Sequence, residues 1–116
     1  MADNYAASLR TITEHPEAVI PVEKIRGALF LTCAEADQIW PSCPMSRQIV
    51  ERLREYRRPA PILLEYKDAA HGAFGAPAPD GIPRPPAAGG SPDATNAAIA
   101  DSWPKAVAFL KANTAK

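Results

Sequence analysis

An aspartate at position 37 and a histidine at position 71 are the residues of this chain whose types and placement point to chemistry. Asp37 lies in "CAEADQIWPSCP", a few residues beyond the apolar run Ala28–Cys33, and His71 lies in "EYKDAAHGAFG", just beyond the apolar run Ile62–Tyr66. If the two runs are adjacent parallel strands, their carboxyl ends share the sheet edge at which α/β proteins build sites. The two side chains then meet. A carboxylate that accepts a hydrogen bond from one ring nitrogen fixes the histidine tautomer and stabilises the imidazolium. The other nitrogen is left as general base for a serine or cysteine nucleophile. Taken alone, the same residues also fit a turn aspartate beside a helix start and an ordinary loop histidine.

The nucleophile is the missing part. The strained elbow that lifts a hydrolase nucleophile above its sheet needs G-x-[S/C]-x-G. Neither Ser8, Ser42, Ser46, Ser91 and Ser102 nor the two cysteines carry those flanking glycines. Cys43 falls near an expected helix start, where thiol pKa values are lowered. Nothing around it arranges donors for an oxyanion, so it reads as a packed or surface thiol in the "PSCP" turn. Cys33 reads as a small core residue.

The elements that must position Asp37 and His71 follow from periodicity and punctuation. Tyr5, Leu9 and Ile12 share helical spacing until Pro16 and Pro21 close the segment, which predicts a short amphipathic helix over 4–12. Ala28–Cys33, bounded by Gly27 and polar residues, reads as a strand buried on both faces. Ser42 is expected to cap a helix that starts near Cys43, tolerates Pro44 in its first turn and stops at Pro59. Its apolar stripe is Met45, Ile49, Leu53 and Tyr56, with Arg47, Glu51, Arg54 and Arg57 on the wet side. Ile62–Tyr66 is the second strand, and strand–helix–strand over this length predicts a parallel, right-handed crossover. A last helix within Ala94–Asn113 aligns Ile99, Trp103, Val107 and Leu110, with Pro104 expected to kink it or to begin a new turn. Between them, "FGAPAPDGIPRPPAAGGSP" holds six of the thirteen prolines and four of the six glycines and predicts a long loop. Trp40 is expected to pack under the site loop, Trp103 to lie in the core and His15 to be a solvated loop residue.

The chain is therefore expected to be α/β, with about two parallel strands and three helices. Its organisation reads as 1–26 helix and lead-in, 27–75 strand–helix–strand with the acid and the histidine, 76–93 loop and 94–116 final helix. Two parallel strands leave their edges unpaired, whereas parallel sheets are ordinarily buried with several strands. The expectation is part of a domain, completed by a missing segment or by another chain.

Composition sets outer bounds. With 116 residues, 47% of them hydrophobic and 22% charged, the chain holds one core at most. Its thirteen basic and thirteen acidic residues cancel, which removes the electrostatic footprint of a nucleic-acid or anionic-membrane partner. No apolar stretch approaches the roughly 18 residues of a membrane span, and the amino-terminal residues lack a signal-peptide pattern. The reading is cytoplasmic, with reduced thiols; two cysteines and two histidines give no metal-ligand spacing, and no metal or cofactor is expected.

Taken in order, "IPVEKIRG", "DQIWPS", the histidine after the next strand, "GGSPDATNAA" and "DSWPKAVAFL" resemble the C-terminal end of an α/β-hydrolase. Specifically, the chain is similar to the acyl-CoA thioester hydrolase / bile-acid-CoA:amino-acid N-acyltransferase C-terminal family over nearly its whole length. The resemblance implies that Asp37 and His71 hold the places of the triad acid and histidine. It implies acyl-CoA thioesters as substrates, hydrolysed or passed to an amine through a serine or cysteine on an elbow. The chain departs from the pattern in lacking that elbow and in having Ala34, then Glu35-Ala36-Asp37, where the family has a glycine and a more acidic turn. Two readings follow: the acid and histidine half of an acyl-CoA hydrolase or acyltransferase, inactive alone, or a non-catalytic α/β module that self-associates through open strand edges.

Overall fold

The computed structural model describes residues 2–79 and 88–114. Helix α1 (Ala2–Arg10) leads through three single 3₁₀ turns, Ile12–Glu14, Pro16–Ala18 and Val22–Lys24, into strand β1 (Phe30–Ala34). Helix α2 (Ser42–Glu55), strand β2 (Ile62–Tyr66) and helix α3 (Pro92–Thr114) follow. The strands pair in parallel, from Phe30 opposite Ile62 to Ala34 opposite Tyr66. Among the described residues the sheet has these two strands only. The expected two parallel strands and three helices are present, and the sheet is open.

Several boundaries differ from expectation for local reasons. The first helix begins and ends two residues earlier than the 4–12 predicted, and β1 starts at Phe30 rather than Ala28. Helix α2 stops at Glu55, four residues before Pro59, because Arg57 takes a left-handed conformation (φ 52°). The Arg57 N–H then bonds to Arg54 O and the Arg58 N–H to Leu53 O, the paired closure of a Schellman motif with arginine where glycine is usual. Ser42 does not cap α2: Pro41 precedes the helix without a side-chain cap, and Ser42 Oγ turns back to the end of β1. At α3 the Ala94 N–H donates to Ser91 Oγ, and the helix runs on through Pro104 without a break into a new element.

Packing also departs from the stripe drawn on α2. Leu53 is buried, whereas Met45 and Tyr56 are exposed. The first strand is not buried throughout either: Ala28 is exposed, Phe30, Leu31 and Thr32 are half-buried, and Cys33 and Ala34 are buried. Leu53, Ile99 and Val22 are buried, and one cluster of the core is built from small residues, with Ala34, Ala69, Ala73 and Ala98 packed together and Tyr66 against them. Small side chains let α3 approach the segment that follows β2. There the Ala70 N–H donates to Thr95 Oγ1, and the Thr95 hydroxyl donates to Ser91 O. Phe30 of β1 meets Phe109 of α3 at 5.4 Å between ring centres, and Tyr66 OH donates to Asp101 Oδ2 at 2.7 Å. Burial pushes the Tyr66 phenol up to about 12, and the adjacent Asp101 carboxylate adds to the shift. The molecule is thin, 18 Å in its shortest dimension against 43 Å in the other two. Among the described residues, no helix is long and apolar enough to cross a membrane.

Candidate active site

Asp37 and His71 come together beyond the carboxyl ends of β1 and β2. The turn after β1 is fixed by its own aspartate, whose Oδ1 accepts the N–H groups of Ile39 at 2.8 Å and Trp40 at 3.0 Å. That leaves Oδ2 aimed outward, and it stands 3.1 Å from Nδ1 of His71. Asp37 is an ion here, so Nδ1–H is the donor and Nε2 is the ring nitrogen left facing other partners. The Asp37 side chain is 5% exposed and that of His71 28%, an acid inside and an imidazole reaching the surface.

Electrostatics agree with this assignment. Burial pushes the Asp37 carboxyl up, but the Trp40 and Ile39 N–H groups and the His71 hydrogen bond together hold it below the ordinary aspartate value. Asp37 therefore accepts hydrogen bonds without itself taking a proton near neutrality. Trp40 stands edge-on to the His71 ring with centres 5.0 Å apart. Contrary to the expectation that it would pack under the loop, it is 44% exposed, and it also touches Tyr5 of α1 edge-on. Asp37 and His71 share a cleft of about 170 Å³ with Trp40, Tyr66, Phe74 and Cys33.

Two glycines of the long loop, not recognised as site residues from sequence, hold the pair in place. Gly89 (φ +77°) lies so close to the Asp37 turn that a Cβ there would fall 2.0 Å from Ala36 O. Gly90 (φ +58°) lies against the His71 segment, where a Cβ would fall 2.6 Å from Ala70 N. Next to them the His71 N–H donates to Ala88 O and the Ser91 N–H to Asp68 O. The "GGSP" motif is thus a backbone wedge between the acid's turn and the histidine's. The rest of the Pro/Gly-rich loop, 80–87, lies outside the described residues.

The expectation of reduced thiols is overturned: Cys33 and Cys43 form a disulfide. Their Cα atoms are 4.9 Å apart because the end of β1 and the start of α2 are brought side by side by the turn that carries Asp37. Cys43 is therefore neither a free thiol nor a nucleophile in this form. The Cys33, Cys43 and Glu65 ligand-type atoms lie within 4.8 Å of one another, but the sulfurs are bonded to each other and Glu65 is paired with Arg47. Ser42 Oγ is likewise engaged, accepting the Ala34 N–H and donating to Ala34 O. Trp103 is half-buried against Phe74, and His15 is an exposed loop residue bonded to Glu17.

No curated protein matches the chain. A family model described as BAAT / Acyl-CoA thioester hydrolase C terminal matches residues 1–116.

Proposed function

Because the chain belongs to the BAAT / acyl-CoA thioester hydrolase C-terminal family, we propose that it supplies the acid and histidine of an acyl-transfer site that acts on acyl-CoA thioesters. The observation that carries this reading is the Asp37 Oδ2–His71 Nδ1 contact at 3.1 Å, with the acid buried and the imidazole at the mouth of a cleft. In this reading His71 Nε2 takes the proton of a serine or cysteine nucleophile as it attacks the thioester carbonyl. Asp37 holds the ring and stabilises the imidazolium that forms, and the proton is passed on when the acyl-enzyme is attacked by water or by an amine. The nucleophile and the donors for the oxyanion come from outside these 116 residues, since no G-x-[S/C]-x-G is present. The chain alone is then close to inactive.

The test is release of free coenzyme A thiol from a medium- or long-chain acyl-CoA, measured for the purified chain beside His71→Ala and Cys43→Ala. The expected result is turnover near the uncatalysed rate for all three. In an assembly with a nucleophile-bearing chain, His71→Ala lowers kcat by several powers of ten. Full activity of His71→Ala in such an assembly would falsify the reading.

The open sheet favours a second reading. With one strand on each side of the β1–β2 ladder, both outer edges lack a strand partner among the described residues, a template for pairing with another copy. A concentration-dependent dimer by sedimentation supports that module; a monomer at all concentrations counts against it.

A further inference from the structure

We propose that the Cys33–Cys43 disulfide is a reducible clasp on the Asp37 turn: closed, it presents Asp37 to His71, and opened by a dithiol it releases that turn. The inference goes beyond the thioester reading and stands on the geometry around Asp37, not on any activity. Cys33 is the penultimate residue of β1 and Cys43 the second residue of α2, with a sequence separation of 10. The short loop between them contains Asp37 and Trp40, two residues that touch the His71 ring. Two neighbours of His71 therefore hang in a loop tied at its neck. Other ties there are the Ser42 Oγ hydrogen bonds with the Ala34 N–H and Ala34 O, at 3.2 and 3.0 Å, the exposed Arg47–Glu35 ion pair, and the Glu35 and Ala36 N–H bonds to Tyr66 O and Ala69 O. Water replaces such bonds readily, so the disulfide is the tie that survives local opening.

The position of the sulfurs gives a route for exchange. Cys33 lines the cleft that holds Asp37 and His71 and is 5% exposed, against 1% for Cys43. A thiolate of a small dithiol entering the cleft attacks Sγ of Cys33, and the S–S electron pair leaves on Sγ of Cys43. Cys43 lies in the first turn of the 14-residue helix α2, where the unpaired N–H groups stabilise a thiolate leaving group. The second thiol of the dithiol then attacks its own sulfur in the mixed disulfide and expels Cys33. The reagent ends as a cyclic disulfide; the protein pair has gained two electrons and, on protonation, two protons. The same dithiol class, as a redox protein or as a small molecule, would set the state of the clasp.

The test treats the folded chain with dithiothreitol, counts released thiols by alkylation and mass, and melts four samples: parent and Asp37→Asn, each oxidised and reduced. Release of both thiols with unchanged far-UV circular dichroism is expected. Asp37→Asn should lower the melting midpoint at least twice as much in the oxidised as in the reduced protein, because the clasp is the covalent part of what holds Asp37 on His71, beside the Gly89 contact and the Glu35 and Ala36 N–H bonds. A second readout uses Trp40 emission in a Trp103→Phe background, where His71→Ala should change the emission of the oxidised chain and leave the reduced chain nearly unchanged. Equal effects of Asp37→Asn in both states, no thiol release from the folded chain, or loss of the fold on reduction would each overturn the proposal; the last would make the pair a staple of the whole domain.

Discussion

Asp37 divides its carboxylate between two tasks: Oδ1 closes the turn on the N–H groups of Ile39 and Trp40, and Oδ2 receives Nδ1–H of His71 at 3.1 Å. The residue that would orient the histidine is thus the one that shapes its own loop. Asp37→Ala leaves two N–H groups and an imidazole N–H without their acceptor, and should cost about 2 kcal/mol of stability. Asp37→Asn keeps an oxygen for the turn and should cost about half that. Urea unfolding of the three proteins measures both: the difference between the variants is the share of the turn, and equal losses would overturn the turn's contribution.

Gly89→Ala should be far worse than its size suggests. Its Cβ would meet Ala36 O at 2.0 Å, a backbone atom that cannot swing aside, at a φ of +77° that alanine rarely adopts. A loss of about 4 kcal/mol or more, or failure to fold, is expected. Gly27 has nothing within 4 Å of an added Cβ, so Gly27→Ala serves as the control and should stay within about 0.5 kcal/mol. Parallel thermal melts decide the comparison.

Acid should remove one long-range tie before the fold is lost. Glu23, in the third 3₁₀ turn, receives both Arg52 Nε and Arg52 Nη2, the latter at 3.0 Å, and the Arg52 hydrogen bonds hold its carboxyl at about 2. A carboxyl lowered in the folded state contributes stability that is complete above its ordinary value of 4.5 and is lost as pH falls toward 2. Stability measured by urea unfolding should therefore fall through that window in the parent, with a shallower slope in Glu23→Gln. Identical slopes would show that the pair does not couple folding to protons.

Tyr66 links the end of β2 to α3 through its bond to Asp101, and Asp101 also holds Lys105 Nζ at 2.7 Å. Tyr66→Phe removes the phenol and leaves Asp101 its lysine, so a loss of about 1 kcal/mol is expected. The same variant should delete a phenolate absorbance that rises only near pH 12 in the parent, as the raised phenol requires. An ultraviolet difference titration of parent against variant reads this directly.

Much of the site was legible because its logic is one of strand ends. The apolar run Ile62–Tyr66 has the limits of β2 in the structure. Given two parallel strands, the meeting of Asp37 and His71 follows from their positions past the carboxyl ends. The disulfide is not legible in the sequence, because only proximity decides it: a sequence separation of 10 says nothing until the turn brings β1 and α2 together. Gly89 and Gly90 were legible as turn residues, but their role depends on contacts with Ala36 and Ala70, far away in sequence. Met45 and Tyr56 fit the helical stripe yet remain exposed, since periodicity marks a face without saying what covers it.

The 18 Å thickness leaves little interior relative to surface, and the cluster of alanines around Tyr66 is what such a slab can hold. Folding free energy in a body of this shape is small. Mass action then has large leverage: a molecule that binds the folded chain at a hundred times its dissociation constant adds about 2.7 kcal/mol, a sizeable fraction of the whole. The chain is for that reason a sensitive balance, on which any molecule that binds the folded form registers as added weight on the folded side.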